Sequence, residues 1–152
     1  MLNLIKFEYF FVLTFLFYGL VPSVHAQDLI QKVTIKSNDG MRFDLDEIKV
    51  KSGSTIELTL IHTGKRTKEE MGHNFVLLNK EIEIRSFAMS VLDEKENGYV
   101  PESKEDIIAF TEVIGGGEST TITFEAPPKG IYNFLCSVPG HFGLMKGKFI
   151  IE

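Results

Sequence analysis

The sequence predicts an all-β fold, specifically a Greek-key β-sandwich with one short inserted helix. Three observations support this prediction. Apolar and polar residues alternate with a period of two in several short segments, which is typical of half-buried strands. Turns rich in glycine and proline separate these segments. One stretch, near residues 84–92, instead repeats its apolar residues at helical spacing.

The first strands are indicated by alternation on either side of a polar turn. Val33 and Ile35 alternate with lysine and threonine neighbours, and an Asn-Asp-Gly turn follows at 38–40. The next strand carries four residues that would share one face because they are two positions apart: Ile56, Leu58, Leu60 and His62.

Glycines separate two of the later predicted strands. A mostly apolar run extends from Ile107 to Ile114, and three glycines at 115–117 end it. Alternation then resumes at Thr120, Ile122 and Phe124. The penultimate strand would place Tyr132, Phe134 and Cys136 on one face, and the last strand would run from Lys148 to Glu152.

The one helical stretch lies between about Ile84 and Leu92. Its apolar residues recur at spacings of three and four, which predicts a short amphipathic helix on the outside of the sandwich: Ile84, Phe87, Ala88, Val91 and Leu92. The sequence contains no internal repeat and no low-complexity tract.

The N-terminus is typical of a cleavable secretory signal peptide at residues 1–26. An apolar run from Phe7 to Val21 follows a short start containing Lys6, and small residues surround Ala26 where a signal peptidase would cut. The alternative is a retained membrane anchor, but the apolar span is short for that role. We therefore expect residues 27–152 to form a single mature domain that is not held in a membrane.

Charge limits the possible partners. The net charge is −5, and no basic stripe dominates the sequence, so a nucleic-acid partner is not expected. Residues 80–106 hold eight acids and four bases, a segment that either faces a basic partner or forms an ordinary solvated surface.

The most informative segment is the ten residues from Cys136 to Met145, which contain the chain's one cysteine, with His141 between them. A thiolate, an imidazole and a thioether on one loop are donors that suit a copper ion cycling between Cu(I) and Cu(II). A second histidine, His73, lies far upstream in a Met-Gly-His-Asn segment. The alternatives for Cys136 are a buried structural thiol, a catalytic nucleophile or a zinc ligand, none of which accounts for Met145 as well.

These segments resemble the azurins, blue-copper proteins with the cupredoxin fold. The resemblance rests on the Cys-x4-His-x3-Met loop, on the upstream segment Met71 to Asn74, and on the Asn-Asp-Gly-Met turn near residue 40. It implies one type 1 copper ion with three strong ligands, His73, Cys136 and His141. It also implies two weak axial ligands, the Met145 thioether and the Gly72 carbonyl.

The resemblance extends to neighbouring residues. It implies that the Asn74 side chain joins the two ligand segments, and that the amides of Asn74 and Val138 donate to the Cys136 sulfur. His62 matches a histidine near the metal that is not a ligand; it is either a buried residue bonded to backbone or a weak pH sensor.

Two features depart from azurins. A lone cysteine cannot form the N-terminal disulfide that azurins usually carry, which would typically add about 2–4 kcal/mol. The chain also has six consecutive polar or charged residues at 65–70, where azurins are mostly uncharged. A purely hydrophobic docking face is therefore not expected.

The implied function is one-electron transfer, not enzymatic catalysis. The resemblance predicts a periplasmic shuttle between redox proteins such as a c-type cytochrome or a periplasmic reductase. The alternative is a periplasmic copper carrier or buffer without a redox partner, because the same ligands would serve it. A catalytic blue-copper domain is disfavoured because the chain lacks a second histidine cluster.

Overall fold

The computed structural model describes residues 29–152, which form a sandwich of two β-sheets. The strands, numbered in chain order, are β1 Ile30–Asn38, β2 Arg42–Phe43, β3 Glu47–Val50, β4 Thr55–His62, β5 Val76–Leu78, β6 Ile107–Phe110, β7 Ser119–Glu125, β8 Gly130–Leu135 and β9 Lys146–Ile151. One sheet has the order β2-β1-β4-β7, and the other has the order β3-β9-β8-β5-β6. The predicted all-β sandwich is confirmed.

The strand pairing brings the ends of several strands close together. β1 and β4 are parallel, with Ser37 opposite His62, so both strands finish together. β7 is antiparallel to β4 and begins there, with Ser119 opposite Ile61. In the other sheet β8 finishes where β9 begins, with Leu135 opposite Lys146. The connections after β1 and β4 therefore meet at this end of the sandwich, and the connection after β8 joins them, because Cys136 approaches His73, whose ring bonds to Asn38.

The core lies between the two sheets. Along β4 the residues alternate between buried and half-buried, as the period-two pattern predicts. Three phenylalanines fill the centre, with the Phe75 ring stacked on Phe134 at 5.2 Å and edge-on to Phe149 at 6.5 Å. Aromatic pairs in such geometries add to the free energy gained by burying their area.

Between residues 29 and 152, two α-helices interrupt the strands. The predicted helix is present as α2, Ile84–Ser90, two residues shorter than the periodicity indicated, and it buries Phe87 and Ala88 against a satellite apolar cluster. The other helix, α1, Lys68–Met71, was not predicted. A single 3₁₀ turn spans Lys95–Asn97.

The apolar run at 107–114 is only partly a strand. β6 ends at Phe110, and the chain then leaves the sheet until Ile114 forms an isolated antiparallel bridge with His73. The run stays mostly apolar beyond β6 because its last residues are buried beside that bridge rather than in the sheet: Val113 and Ile114 are 6% and 3% exposed.

The predicted signal peptide, residues 1–26, lies outside the described residues. Within residues 29–152, no helix is both long and apolar enough to cross a membrane.

Candidate metal centre

His73 is held on the short segment between α1 and β5. Its backbone N–H and carbonyl both bond to Ile114, at 3.0 and 2.9 Å. Its side-chain Nε2 lies 2.9 Å from the Asn38 carbonyl, which can only accept, so Nε2 carries the proton. The lone pair of Nδ1 is therefore free to bind a metal, and the hydrogen bond to Asn38 sets the ring orientation.

The other two donors, the Cys136 thiol and the His141 imidazole, lie on the loop after β8. Cys136 is fully buried, and its backbone N–H bonds to the Met145 carbonyl at 2.9 Å. The His141 carbonyl accepts from the N–H of Met145 at 2.9 Å, which closes the loop into a tight turn. In the preceding turn, which the His141 N–H closes by donating to the Val138 carbonyl at 3.1 Å, Gly140 supplies the left-handed residue with φ +84°. The loop thus brings the thiol and the imidazole to the same side.

The three donor atoms converge on one point. The two Nδ1 atoms of His73 and His141 are 3.2 Å apart, and the Cys136 sulfur lies 3.9 Å from the first and 3.6 Å from the second. A planar trigonal ion with ordinary metal–nitrogen and metal–sulfur bonds would separate its donors by about 3.6 Å and about 3.8 Å. The observed triangle therefore fits a single first-row transition-metal ion.

Burial sets the protonation of these donors. It lowers the pKa of His73 to about 4, although the Asn38 carbonyl opposes part of that shift, and it also lowers the pKa of His141. Burial raises the pKa of Cys136 to about 12, partly offset by the N–H groups of Asn74 and Val138. At neutral pH both imidazoles are neutral and ready to bind, while the thiol must lose its proton to become a ligand.

The Asn74 side chain joins the two ligand segments, as the sequence predicted. Its oxygen accepts the N–H of Ser137 at 2.9 Å, and its amide nitrogen donates to the Ser137 hydroxyl at 2.8 Å and to the Gly98 carbonyl at 3.0 Å. The Ser137 hydroxyl in turn donates to the Tyr99 carbonyl. This network, in which the Asn74 and Ser137 side chains are buried, locks the residues beside His73 and Cys136 to each other.

His62 is not among the converging donors. Its Nδ1 accepts the N–H of Gly64 at 2.9 Å, and its Nε2 donates to the Met71 carbonyl at 2.9 Å. The ring is 1% exposed and stacks on His73 with centroids 4.6 Å apart. Both nitrogens are satisfied, so His62 is the backbone-bonded buried histidine of the two alternatives, and it packs against the metal centre.

The two predicted weak ligands border the same site. The Met145 side chain is fully buried at the end of the loop, and Gly72 immediately precedes His73 with its backbone buried. Their role as weak ligands remains a prediction.

Sequence reasoning missed two features that support the site. Helix α1 begins at a capping box of Thr67 and Glu70, and the pattern Thr-x-x-Glu was present in the sequence as a signal for it. The close packing of the glycines at 115 and 116 against the segment before His73 was also missed; the triple glycine was interpreted only as a strand end.

The His141 ring is the part of the site that lies nearest the protein surface. His141 is 7% exposed, and its Nε2 has no hydrogen-bond partner within residues 29–152. Every fully buried side-chain N or O atom in this part of the chain does have a partner, so Nε2 is not fully buried. The Nε2 edge must therefore reach the surface. It borders a cleft of about 610 Å³ that is also lined by Met71, Val138 and Pro139.

Two imidazoles and one buried thiol, placed on the segment before β5 and on the loop after β8 of a β-sandwich, define a soft transition-metal centre of the blue-copper class. The sequence profile of the copper-binding proteins of the plastocyanin/azurin family matches residues 30–152. The chain belongs to this family.

Individual relatives agree. The chain is 41% identical over 119 residues to azurin-1 of Alcaligenes xylosoxydans xylosoxydans, covering 76% of this chain and 92% of that protein. Among solved structures, azurin Az-iso2 of Methylomonas sp. strain J superimposes with a TM-score of 0.73 at 31% identity, over 80% of this chain and 97% of that one. Auracyanin A of Chloroflexus aurantiacus gives 0.73 at 29% identity, over 81% and 99%.

Family membership and the donor triangle together establish copper as the cofactor and blue-copper electron transfer as the general function. Proteins of the azurin and cupredoxin family are electron carriers rather than enzymes.

Proposed function

We propose that the protein carries single electrons between redox proteins of the periplasm, using one type 1 copper ion. The convergence of two Nδ1 atoms and one sulfur within 3.2–3.9 Å of each other is the observation that carries the proposal. His73, Cys136 and His141 would be the strong ligands, with Met145 and the Gly72 carbonyl as weak axial ligands. When bound, copper supplies a one-electron couple between Cu(I) and Cu(II).

The protein's own residues hold the donors so that they need not move when an electron arrives. Hydrogen bonds fix the His73 ring to Asn38, and the Asn74 network fixes the backbone beside Cys136. Amide groups of Asn74 and Val138 point at the sulfur and stabilise its negative charge. Ligands held in this way lower the reorganisation that accompanies each electron transfer.

The electron would enter and leave through His141. The buried Cys136 and His73 are shielded, whereas the Nε2 edge of His141 reaches the surface. A partner seated over this edge would come into contact with a site donor without exposing copper to water. The partner would be a redox protein such as a c-type cytochrome or a periplasmic reductase, and the contact would be small and transient.

The charged segment near this edge shapes docking. Lys65, Arg66 and Lys68 are exposed, and Lys68 lines the cleft beside His141. We expect electron exchange with an acidic partner to slow as salt rises from about 10 to 150 mM, because screening shortens the reach of these charges to about 8 Å. Replacing the three bases by glutamine should flatten that dependence. Replacing Lys32, on the outer edge of β1, serves as the control.

The direct test is the visible and EPR spectrum of the copper-loaded protein beside Cys136→Ala. An intense blue band with narrow copper hyperfine splitting, lost in the variant, supports the proposal. A colourless protein, or an ordinary tetragonal copper spectrum that the variant leaves unchanged, refutes it.

The same samples separate shuttling from copper delivery. A shuttle should cycle reversibly in voltammetry and keep its ion against a competing chelator; a carrier or buffer should release it. The complete burial of Cys136 favours retention.

Export belongs to the proposal as well. Residues 1–26 would be removed after Ala26, so the mature protein would begin at Gln27 in the periplasm. Mass spectrometry of the protein from a periplasmic fraction checks this: an intact Met1 would contradict it.

A further inference from the structure

The segment that leads to His73 contains a helix that buries no apolar residue, so hydrophobic packing of this helix does not hold the segment in place. We call residues 63–72, which connect β4 to His73, the charged arm. Residues 65–70 of the arm are all exposed, and helix α1 within it buries none of its four residues. A helix of four residues is not stable alone in water. Some other contact must therefore fix the arm.

Backbone hydrogen bonds attach the arm to the segment between β6 and β7. The Gly116 N–H donates to the Arg66 carbonyl at 2.8 Å, in the middle of the arm. Where the arm ends, His73 and Ile114 exchange two bonds of 3.0 and 2.9 Å. The arm thus lies along residues 114–116, main chain against main chain.

Two glycines make this approach possible. A Cβ on Gly116 would lie 2.7 Å from the Lys65 carbonyl carbon and 2.8 Å from the Arg66 oxygen, and a Cβ on Gly115 would lie 2.6 Å from the Lys68 nitrogen. These neighbours are backbone atoms, which cannot rotate away as a side chain can. Neither glycine has a positive φ. Their lack of a side chain is therefore required by the close approach and not by the turn.

We propose that Gly115 and Gly116 are positioning residues for the copper centre. They let the charged arm lie close enough for its end, Met71 and Gly72, to be placed correctly against His73. This inference rests on the proposed function, because it concerns the Gly72 carbonyl as an axial ligand.

The arm's end is the part that would respond. The His73 ring has its own hydrogen bond to the Asn38 carbonyl, which lies outside both the arm and residues 114–116, so pushing the arm outward leaves the ring in place. Gly72 follows helix α1 directly, and a Cβ on it would lie 2.4 Å from the Lys68 oxygen and 2.7 Å from Val113, so its position depends on where the arm lies. A displaced arm therefore changes the axial side of the site while keeping the three strong donors.

The test is Gly116→Ala, compared with Ile56→Ala in the full chain. Ile56 is fully buried at the opposite end of β4, so its truncation lowers thermal stability without reaching the site. We expect Gly116→Ala to stay blue, but with an altered copper hyperfine splitting, a shifted reduction potential and about 10- to 100-fold weaker copper binding. Ile56→Ala should melt at a lower temperature with the wild-type spectrum and potential.

A second pair of variants keeps the test decisive if Gly116→Ala does not fold. The Glu70 carboxylate accepts the Thr67 N–H at 3.1 Å on the exposed side of the arm. Glu70→Ala removes this bond, and Glu70→Gln removes the same charge but retains an acceptor oxygen. We expect the alanine variant to shift the EPR spectrum in the direction of Gly116→Ala, and the glutamine variant to restore it.

A wild-type spectrum and potential in Gly116→Ala would overturn the proposal. If that variant does not fold, equal spectra for the two Glu70 variants would overturn it, because the position of the arm would then not affect the site. Failure of the proposed function is distinct, because the wild-type protein itself would then lack the blue spectrum.

Discussion

Metal binding at this site should release one proton from Cys136 at neutral pH. The thiol is fully buried and its pKa is raised to about 12, so in the metal-free protein it is protonated. The two imidazoles contribute no protons at pH 7, because burial lowers both pKa values, that of His73 to about 4. The proton count should therefore be one per metal ion.

The cost of this ionisation is large. A pH of 7 is about five units below the pKa of the Cys136 thiol. At about 1.4 kcal/mol per unit, removing the proton at this pH costs about 7 kcal/mol. Because this cost is part of the observed binding free energy, the apparent affinity should rise about tenfold for each pH unit between pH 7 and pH 9.

The assay is calorimetric titration of the metal-free protein at pH 7 in two buffers with different ionisation enthalpies. Zn²⁺ serves as the probe because it cannot oxidise the thiol. The difference between the two observed enthalpies gives the number of protons released, and Cys136→Ala, which has no thiol to ionise, should release none. A count near zero in the wild-type protein would refute the reasoning, because the thiolate would then already exist in the metal-free state.

Three further predictions follow from the same geometry. The free energy of unfolding of the metal-free protein should fall as pH drops from about 6.5 to 4. Over this range the His73 imidazole takes up a proton in the unfolded chain but not in the folded protein, because burial lowers its pKa in the folded state to about 4. Urea titrations across this range check the prediction, and an unchanged midpoint contradicts it. Asn74→Ala should cost about 1–3 kcal/mol in the same assay, because it leaves the buried Ser137 amide without its acceptor. Phe75→Ala should cost about 3–5 kcal/mol because the ring is fully buried against Phe134, whereas Phe75→Leu should recover most of that loss.

Local patterns predicted the strands well where one face is buried. The alternation along β4 placed Leu58, Leu60 and His62 on the core side, and all three are buried. Patterns were less accurate where a segment is buried without belonging to a sheet. The run ending at Ile114 looked like one strand because burial, and not pairing, selects apolar residues.

Helix α1 was missed for the opposite reason. Hydrophobic periodicity reveals a helix by its buried face, and this helix buries nothing. Its remaining signal is the cap formed by Thr67 and Glu70, which is short-range and depends on no core. Contacts between main-chain atoms, such as Gly116 against Arg66, leave even less trace in a sequence, because they require only that a side chain be absent.

The sequence alone determined the chemistry of the centre. Cys136, His141 and Met145 are close along the chain, so their spacing and donor types already specify a soft-metal loop, and the family resemblance supplied His73. Only the tertiary structure decided the rest: which nitrogen of His73 faces the metal, the protonation of the thiol, and the 3.2 Å approach of two rings 68 residues apart. These depend on hydrogen bonds and burial created when distant strand ends meet, which no local spacing encodes.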